Sequence, residues 1–443
     1  MTWQLSLIGR TADLEQVRRH ALRGACVSLV GVSNIGKSAL LRRLGDSTQT
    51  SSCSGTFVYV DCNQMPERTA RALFVTVWQA VSARLPTAEL RAGAQHLYDS
   101  IVHAPSAITT ALDFEAAIVF ALSHLPPPLV LCLDEFDEAY QHLEPQAFLN
   151  LRAFKDRYGD ALAYVTATER EITRLPATRE QGEFLELVAP HVHFMHFMEP
   201  EDTRAFCLHY AEQEGVTFSE ADLAFIRDHA DGHPGLVQAA CCLLGDVTGA
   251  PTRDTPQDQV IHQLVQQNLT TDSNVRSECG KIWDDLGPGE REALQHLHGS
   301  GEEAQNALRS LRNKSIVRES KDGPVLFSRL FADFVRQQKI KQQPSASGIS
   351  VDVDAERVWV DGKSIETLTD LEYRLLLFLY GRLDRVCDKY AIVEAVWGEE
   401  YIDDVDDARI EKLVSRVRQK IEPDGTHPRY LVSVRGRGYK LVR

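Results

Sequence analysis

The N-terminal half of the chain alternates short apolar runs with stretches of helical periodicity. Cys26-Val27-Ser28-Leu29-Val30, Phe57-Val58-Tyr59-Val60, Leu129-Val130-Leu131-Cys132-Leu133 and Ala161 to Thr166 are almost continuously apolar, as strands buried on both faces are. Helical stretches such as Ala39 to Leu44 lie between them. The alternation predicts a parallel sheet covered on both sides, with ligand at the carboxyl ends of the strands. Gln64 to Pro126 separates two core strands and has room for an inserted recognition surface or for extra helices. From Thr203 to Asp246 helices follow with short polar breaks. Helices are then expected to begin at Ile282-Trp283 and at Pro288-Gly289-Glu290, with another over Ala304 to Arg312 and a strand over Val325 to Ser328.

Lys341 to Gly348 is a polar linker with Pro, Ser and Gly. Beyond it, Val351-Asp352-Val353 and Arg357 to Val360 read as strands around an Asp361-Gly362 turn. Leu368 to Glu372 opens a helix capped by Thr369 or Asp370, and Lys389 to Trp397 makes a second. In a third, Ile410, Val414 (with Leu413 beside it), Val417 and Ile421 form one apolar stripe. Arg409, Lys412 and Arg416 occupy another face, with Arg418 and Lys420 on the flanks, and Asp406 and Asp407 cap the start. Tyr430 to Val434 and Tyr439 to Val442 then pair across Arg435-Gly436-Arg437-Gly438.

A length of 443 residues implies two to four domains, and 43% apolar with 25% charged residues fits soluble globular proteins. Runs such as Leu129 to Leu133 fall far short of the roughly 20 residues of a membrane helix, so no membrane partner is expected. The first residues lack the pattern of a signal peptide. Nine cysteines without metal-ligand spacing suggest a reduced, cytoplasmic protein. The net charge of −15 opposes a general nucleic-acid coat, yet Arg409 to Arg443 holds ten Lys and Arg against three Asp and Glu. One basic face on an acidic chain points to double-stranded DNA.

The sharpest chemical signal is Gly31-Val32-Ser33-Asn34-Ile35-Gly36-Lys37-Ser38, between a strand and a helix. The pattern GxxxxGKS turns backbone N–H groups onto phosphates and adds a helix N-terminus. Gly31, Asn34, Gly36, Lys37, Ser38 and Ala39 are therefore expected to bind ATP or ADP, with Lys37 on the β- and γ-phosphates and Ser38 on Mg²⁺. Asp134, at the end of an apolar strand, is expected to hold Mg²⁺, and Glu135 to polarise the attacking water, giving a slow regulatory ATPase. Thr168 and Arg170, at the end of the Ala161 strand, are placed to sense the γ-phosphate. A strand-terminal Thr satisfying local backbone is the alternative.

Leu7-Ile8-Gly9-Arg10, GVSNIGKS, LCLDE, VTATER and Gly232-His233-Pro234-Gly235 together resemble the STAND class of P-loop ATPases, signalling switches akin to AAA+ proteins. The resemblance implies that Gly9 and Arg10 lie near adenine, that Pro234 touches the base from a helical lid, and that Ser277 to Ile340 is an internal winged helix. LTDLEYRLLLFL, AVWG, IEPDG and YLVSVRGRGYKLV resemble the OmpR-type winged helix of bacterial response regulators. That likeness implies a third helix in the major groove and a hairpin wing on the minor groove or backbone. By it, Arg409 and Lys412 reach bases and Arg416 and Arg418 contact phosphates; Arg435, Arg437 and Lys440 belong to the basic wing. The family usually has Val and His where Lys412 and Leu413 stand, so no target sequence carries over. In it the loop matching Glu399 to Asp404 can meet RNA polymerase; a merely soluble loop is the other reading.

The expected architecture is multidomain α/β and winged helix: a P-loop NTPase domain over 1–195, a helical lid over 196–270, an internal winged helix over 271–341, a linker over 342–349 and an OmpR-type domain over 350–443. The leading functional expectation is an ATP-switched, sequence-specific transcriptional regulator that forms homo-oligomers in the ATP state. An ATP-dependent DNA remodeller or initiator, a defence-type signalling ATPase, and a DNA-binding module with structural ATP are the alternatives.

Overall fold

The computed structural model describes residues 8–46, 55–248, 255–295, 297, 301–321, 323–342, 348–352, 357–361, 363–365, 368–398, 405–422, 428–434 and 436–442. The chain divides into two compact units, Met1–Val335 and Arg336–Arg443.

The first unit begins with α1 (Thr11–Ala21), β1 (Val27–Val30), α2 (Lys37–Leu44) and β2 (Thr56–Asp61). Three helices follow, α3 (Ala70–Ser82), α4 (Ala88–His103) and α5 (Ala107–His124), before β3 (Leu129–Asp134). Then come α6 (Phe136–His142), α7 (Pro145–Tyr158), β4 (Leu162–Thr168), α8 (Arg179–Val188) and β5 (Val192–Phe194). The strands form one sheet in the order β2-β3-β4-β1-β5, all parallel. Every residue of β1, β3 and β4 is buried, which is why these runs carry no polar alternation. The two faces still sort with period two. Val130 and Cys132 join one core cluster, while Leu129, Leu131 and Leu133 join the cluster of α3, α5 and α7. β4 lies between β1 and β3, so its end stands between the glycine loop and Asp134.

The segment between β2 and β3 is thus helical. α5 corrects one expectation, because its 18 residues, at mean hydropathy 1.3, are by length and composition apolar enough to cross a membrane. A core helix passes the same test, and α5 sends Phe114, Ala117, Ile118 and Ala121 into the core, with Phe114 stacked on Phe74 at 4.3 Å.

Next come α9 (Pro200–Glu214), α10 (Glu220–Ala230), α11 (Pro234–Thr248) and α12 (Thr255–Leu269). They lead into α13 (Ser273–Asp284), α14 (Pro288–Gln295), α15 (Glu302–Asn313), the antiparallel pair β6 (Val317–Ser320) and β7 (Gly323–Leu326), and α16 (Arg329–Gln342). Here the sequence reading is corrected: Ile282 and Trp283 end a helix rather than begin one. Asp272 supplies the start, accepting from the N–H groups of Asn274 and Val275, and Pro288 opens the following helix. One hydrophobic cluster runs from β1 through α9–α11 to Trp283, Leu311 and Phe331.

The second unit contains a three-stranded antiparallel sheet of β8 (Ile349–Asp352), β9 (Arg357–Val360) and β10 (Lys363–Ser364). Then follow α17 (Asp370–Tyr380), α18 (Lys389–Trp397), α19 (Asp407–Ile421) and the hairpin β11 (Leu431–Val434) with β12 (Gly438–Leu441). Thr369 and Glu372 form a capping box on α17, and Asp406 caps α19 by accepting from the Arg409 N–H at 2.9 Å. Ile410, Leu413, Val414, Val417 and Ile421 are all buried, as their spacing predicts. Cys387 bridges to Tyr439, and at Gly438, with φ of 124°, a Cβ would strike the Cys387 carbonyl.

Candidate nucleotide site and DNA-facing helix

β1 delivers the chain into the loop Gly31–Gly36, and α2 begins at Lys37. Gly36 takes φ of 110°, which lets the loop fold back on itself. Lys37 is buried, and its Nζ donates to the carbonyls of Gly31 at 2.8 Å and Val32 at 3.3 Å. Arg10 braces the loop from outside, donating to the Ile35 carbonyl at 2.7 Å and the His196 carbonyl at 2.6 Å. The neighbouring cavity, about 190 Å³, is lined by Ser33, Asn34, Gly36, Lys37, Ser38, Ala39, Glu135, Glu169 and Lys281.

β3 ends at Asp134, 1% exposed, followed by Glu135 in the left-handed region at φ 52°. For a non-glycine residue this is stored strain at a strand end, a feature common where chemistry is done. Tyr59 Oη on β2 donates to Asp134 Oδ2 at 2.8 Å and accepts from Arg42 at 3.0 Å. Asp134 Oδ1 is buried and has no hydrogen-bond partner among the described residues. An orphaned buried carboxylate oxygen at the end of β3, in the same sheet as the strand that leads to Ser38 on α2, fits a hard cation with its water shell. Burial raises the Glu135 carboxyl, against Lys37, which lowers it.

β4 contributes Thr168, whose hydroxyl donates to the Arg170 carbonyl at 2.7 Å and whose own carbonyl accepts from the Gly31 N–H at 3.1 Å. Asp137 accepts from the N–H groups of Glu169 and Arg170 and so fixes the turn after β4. Burial, and then Glu169, raise its carboxyl. Arg170 points to the C-terminal end of α13, donating to the carbonyls of Asp284 at 3.0 Å and Asp285 at 3.3 Å.

Sequence reasoning missed the residues that cover the loop. Asp285 is 4% exposed; its Oδ2 accepts from the Ser33 N–H at 2.5 Å and its Oδ1 lies 3.0 Å from Ser33 Oγ. Glu169 Oε1 is 3.1 Å from the same hydroxyl. One hydroxyl proton cannot serve two carboxylates, so both contacts form only when a carboxyl carries a proton. Burial and then Glu169 push Asp285 up to about 7. Glu278, one turn-pair earlier on α13, accepts from Asn34 Nδ2 at 2.9 and 2.7 Å. His233 Nδ1 accepts from the Leu236 N–H at 3.2 Å, which fixes the proton on Nε2, and Nε2 donates to the Ser33 carbonyl at 3.0 Å. Burial pushes this histidine down to about 4. Pro234 opens α11 directly after it, so it is the histidine of this segment that touches the loop. No local pattern announces these contacts, since the partners lie far apart in the chain.

In the second unit Arg409, Lys412 and Arg416 are exposed along one side of α19, and Arg437 is exposed after the wing strand. Lys440 is half-buried on β12. Arg418 is committed to packing: its Nε donates to the Leu431 carbonyl at 2.8 Å and its guanidinium to Ser433 Oγ at 2.9 Å, tying α19 to β11. Arg435 and the acidic loop Glu399 to Asp404 lie outside the described residues.

Residues 6–157 match the AAA ATPase domain family, and residues 362–441 match the family described as transcriptional regulatory protein, C terminal. The sensory transduction protein RegX3 of Mycolicibacterium smegmatis is 38% identical over 96 residues, 22% of this chain and 41% of that protein. Its counterpart in Mycobacterium tuberculosis is 39% identical over 93 residues, 21% of this chain and 40% of that protein. The chain thus spans about two-fifths of the length of the curated relatives it matches. Among solved structures, a Walker-type ATPase of Pyrococcus abyssi aligns with 74% of this chain and 96% of its own at 13% identity and TM-score 0.45. The RstA DNA-binding domain of Klebsiella pneumoniae, solved with the RstA box, aligns with 22% of this chain and 92% of its own at 23% identity and TM-score 0.20.

Proposed function

We propose that this chain, an AAA ATPase domain joined to a C-terminal OmpR-type winged-helix domain, is a sequence-specific transcriptional regulator whose DNA binding is switched by ATP. The observation that carries the reading is a P-loop after β1, with Asp134 and Glu135 at the end of β3 on the far side of β4, and a cationic α19 face in the second unit. In this reading Lys37 binds the β- and γ-phosphates, while Ser38 and the free Oδ1 of Asp134 hold Mg²⁺. The ion, when bound, would screen phosphate charge and orient the terminal phosphate. Tyr59 keeps the Asp134 carboxylate turned so that Oδ1 stays free. Glu135, raised by burial, accepts the proton of the attacking water. Turnover is slow, because site occupancy rather than phosphate release carries the signal.

At the output, Arg409 and Lys412 read base edges and Arg416 contacts phosphates, while Arg437 and Lys440, with Arg435, form the wing contacts. The tie to β11 makes Arg418 a support for this face. A single half-site offers few phosphates, so useful affinity requires a homo-oligomer on DNA. The STAND-like lid, a bacterial cytoplasmic setting and a contact between Glu399 to Asp404 and RNA polymerase complete the proposal. Footprinting operator DNA with no nucleotide, ADP, ATP and a non-hydrolysable ATP analogue tests it. The expected result is protection that depends on the nucleotide, and identical footprints in all four would sink the switch.

A further inference from the structure

α5 lends no residue to the nucleotide cavity, yet it is apolar on its outer side as well as its inner one. Ile108, Leu112 and Val119 are 74%, 58% and 49% exposed. At 3.6 residues per turn, their spacing of i, i+4 and i+11 gathers them in a sector of about 40°. Nine large hydrophobics are exposed among the described residues, so a third of them share one face of one helix. Single exposed apolar side chains need no partner, whereas a contiguous stripe with polar flanks marks a contact surface.

Beside the stripe, a groove of about 460 Å³ runs between α5 and α7, with Ala107, Ala111, Ala153 and Phe154 in its lining. A ridge of large side chains and a groove of mostly small ones thus lie next to each other. A two-fold axis parallel to α5 and midway between them seats each copy's ridge in the other's groove. That operator keeps equal residues at equal height. The charges suit it too. Arg157, its side chain 66% exposed, stands on the α7 flank paired with Glu115, which also accepts from Tyr158 Oη at 3.1 Å. Asp113 is two residues from Glu115 along α5, so close to it in height but on the flank away from α7. Asp113 has no ion pair among the described residues, and the operator brings Arg157 of one copy to Asp113 of the other. Acidic flanks oppose an anionic lipid surface.

We propose that the outer face of α5, with its groove against α7, is the contact through which this chain pairs with a second copy of itself. The inference rests on the homo-oligomer of the proposed function and names its surface. α5 is about 27 Å long and two helices are about 20 Å wide, so the contact covers on the order of 500 Å² per copy. That is below the roughly 800 Å² of a standard interface, and the dimer accordingly dissociates in the micromolar range.

Sedimentation equilibrium of the full-length chain, without nucleotide and with ATP, over about 1–100 μM tests this. Leu112→Glu and Val119→Glu change exposed side chains and should each weaken the dimer by about tenfold or more, with unchanged melting temperature. Asp113→Arg, which sets like charges against each other, should weaken it by about threefold or more. A chain that stays monomeric throughout overturns the inference. A dimer that both glutamate variants leave intact also overturns it, while the homo-oligomer itself stands. Full affinity in Asp113→Arg removes the two-fold arrangement. Flotation of wild type with phosphatidylserine vesicles, abolished by Leu112→Glu, would make the stripe a lipid-binding face and refute the pairing.

Discussion

At the scale of single residues, the loop carries opposed charges held by geometry. Lys37→Ala should abolish nucleotide binding, whereas Glu135→Gln should keep binding and trap the triphosphate state. Hydrolysis at the wild-type rate by the Glu135 variant would remove that residue from its assigned role. Tyr59→Phe deletes one hydrogen bond to Asp134, worth about 1–2 kcal/mol for a charged acceptor, and leaves the packing. It should raise the Mg²⁺ concentration needed for nucleotide binding by roughly tenfold and lower the melting temperature by about 2–4 °C per kcal/mol lost. His233 and Asp285 give opposite pH slopes. His233, facing the Ser33 carbonyl, Glu278, Arg10 and Lys37, titrates near 6.5 when free and about 4 when folded. Its stabilisation is complete above 6.5 and is lost as pH falls to about 4. Asp285, facing Glu169, Lys37 and Ser33 and with Arg170 on its carbonyl, titrates at 3.8 when free and about 7 when docked. Its contact weakens as pH rises through that window. The slopes offset each other in wild type. Asp285→Asn leaves the histidine's alone, so denaturation midpoints of the variant should climb more steeply between pH 4 and 6.5 than those of wild type.

At the scale of elements, α19 separates residues that resemble each other in sequence. Arg416 is exposed, whereas Arg418 donates into β11. Arg418→Ala should therefore destabilise the second unit by about 1–2 kcal/mol, measured by chemical denaturation. Arg416→Ala should leave stability unchanged, weaken DNA binding across sequences and reduce the salt slope by about 1. A shift in sequence preference with an unchanged slope would place Arg416 on bases. The contrast also shows how far periodicity reaches. The stripe of Ile410, Val414, Val417 and Ile421 was legible because it repeats with the helix, and all of it is buried. The same periodicity gave Arg409, Lys412 and Arg416 a shared face. It could not reveal that the next arginine reaches a strand thirteen residues later in the chain. The helix end at Ile282-Trp283 was misread for a related reason: the cap that starts the helix is Asp272, upstream of an uneven apolar pattern.

At the scale of the whole molecule, the AAA ATPase match and the C-terminal regulatory match lie in separate compact units. Under the proposed switch, Lys37→Ala should footprint operator DNA identically with no nucleotide, with ADP and with ATP. A footprint that still changes with nucleotide in that variant would place the switch outside this loop. The sequence by itself determined the phosphate loop, the buried strands, the Asp134–Glu135 strand end and the amphipathic α19, because each is written in contiguous or periodic residues whose backbone geometry follows locally. Only the tertiary structure decided that β4 stands between β1 and β3, that Tyr59 holds Asp134, and that His233, Glu278 and Asp285 close over Ser33 and Asn34. Those partners are separated by 75, 200, 244 and 252 residues. Contacts of that span are set by how strands order in the sheet and how helices pack on it, which no local pattern encodes.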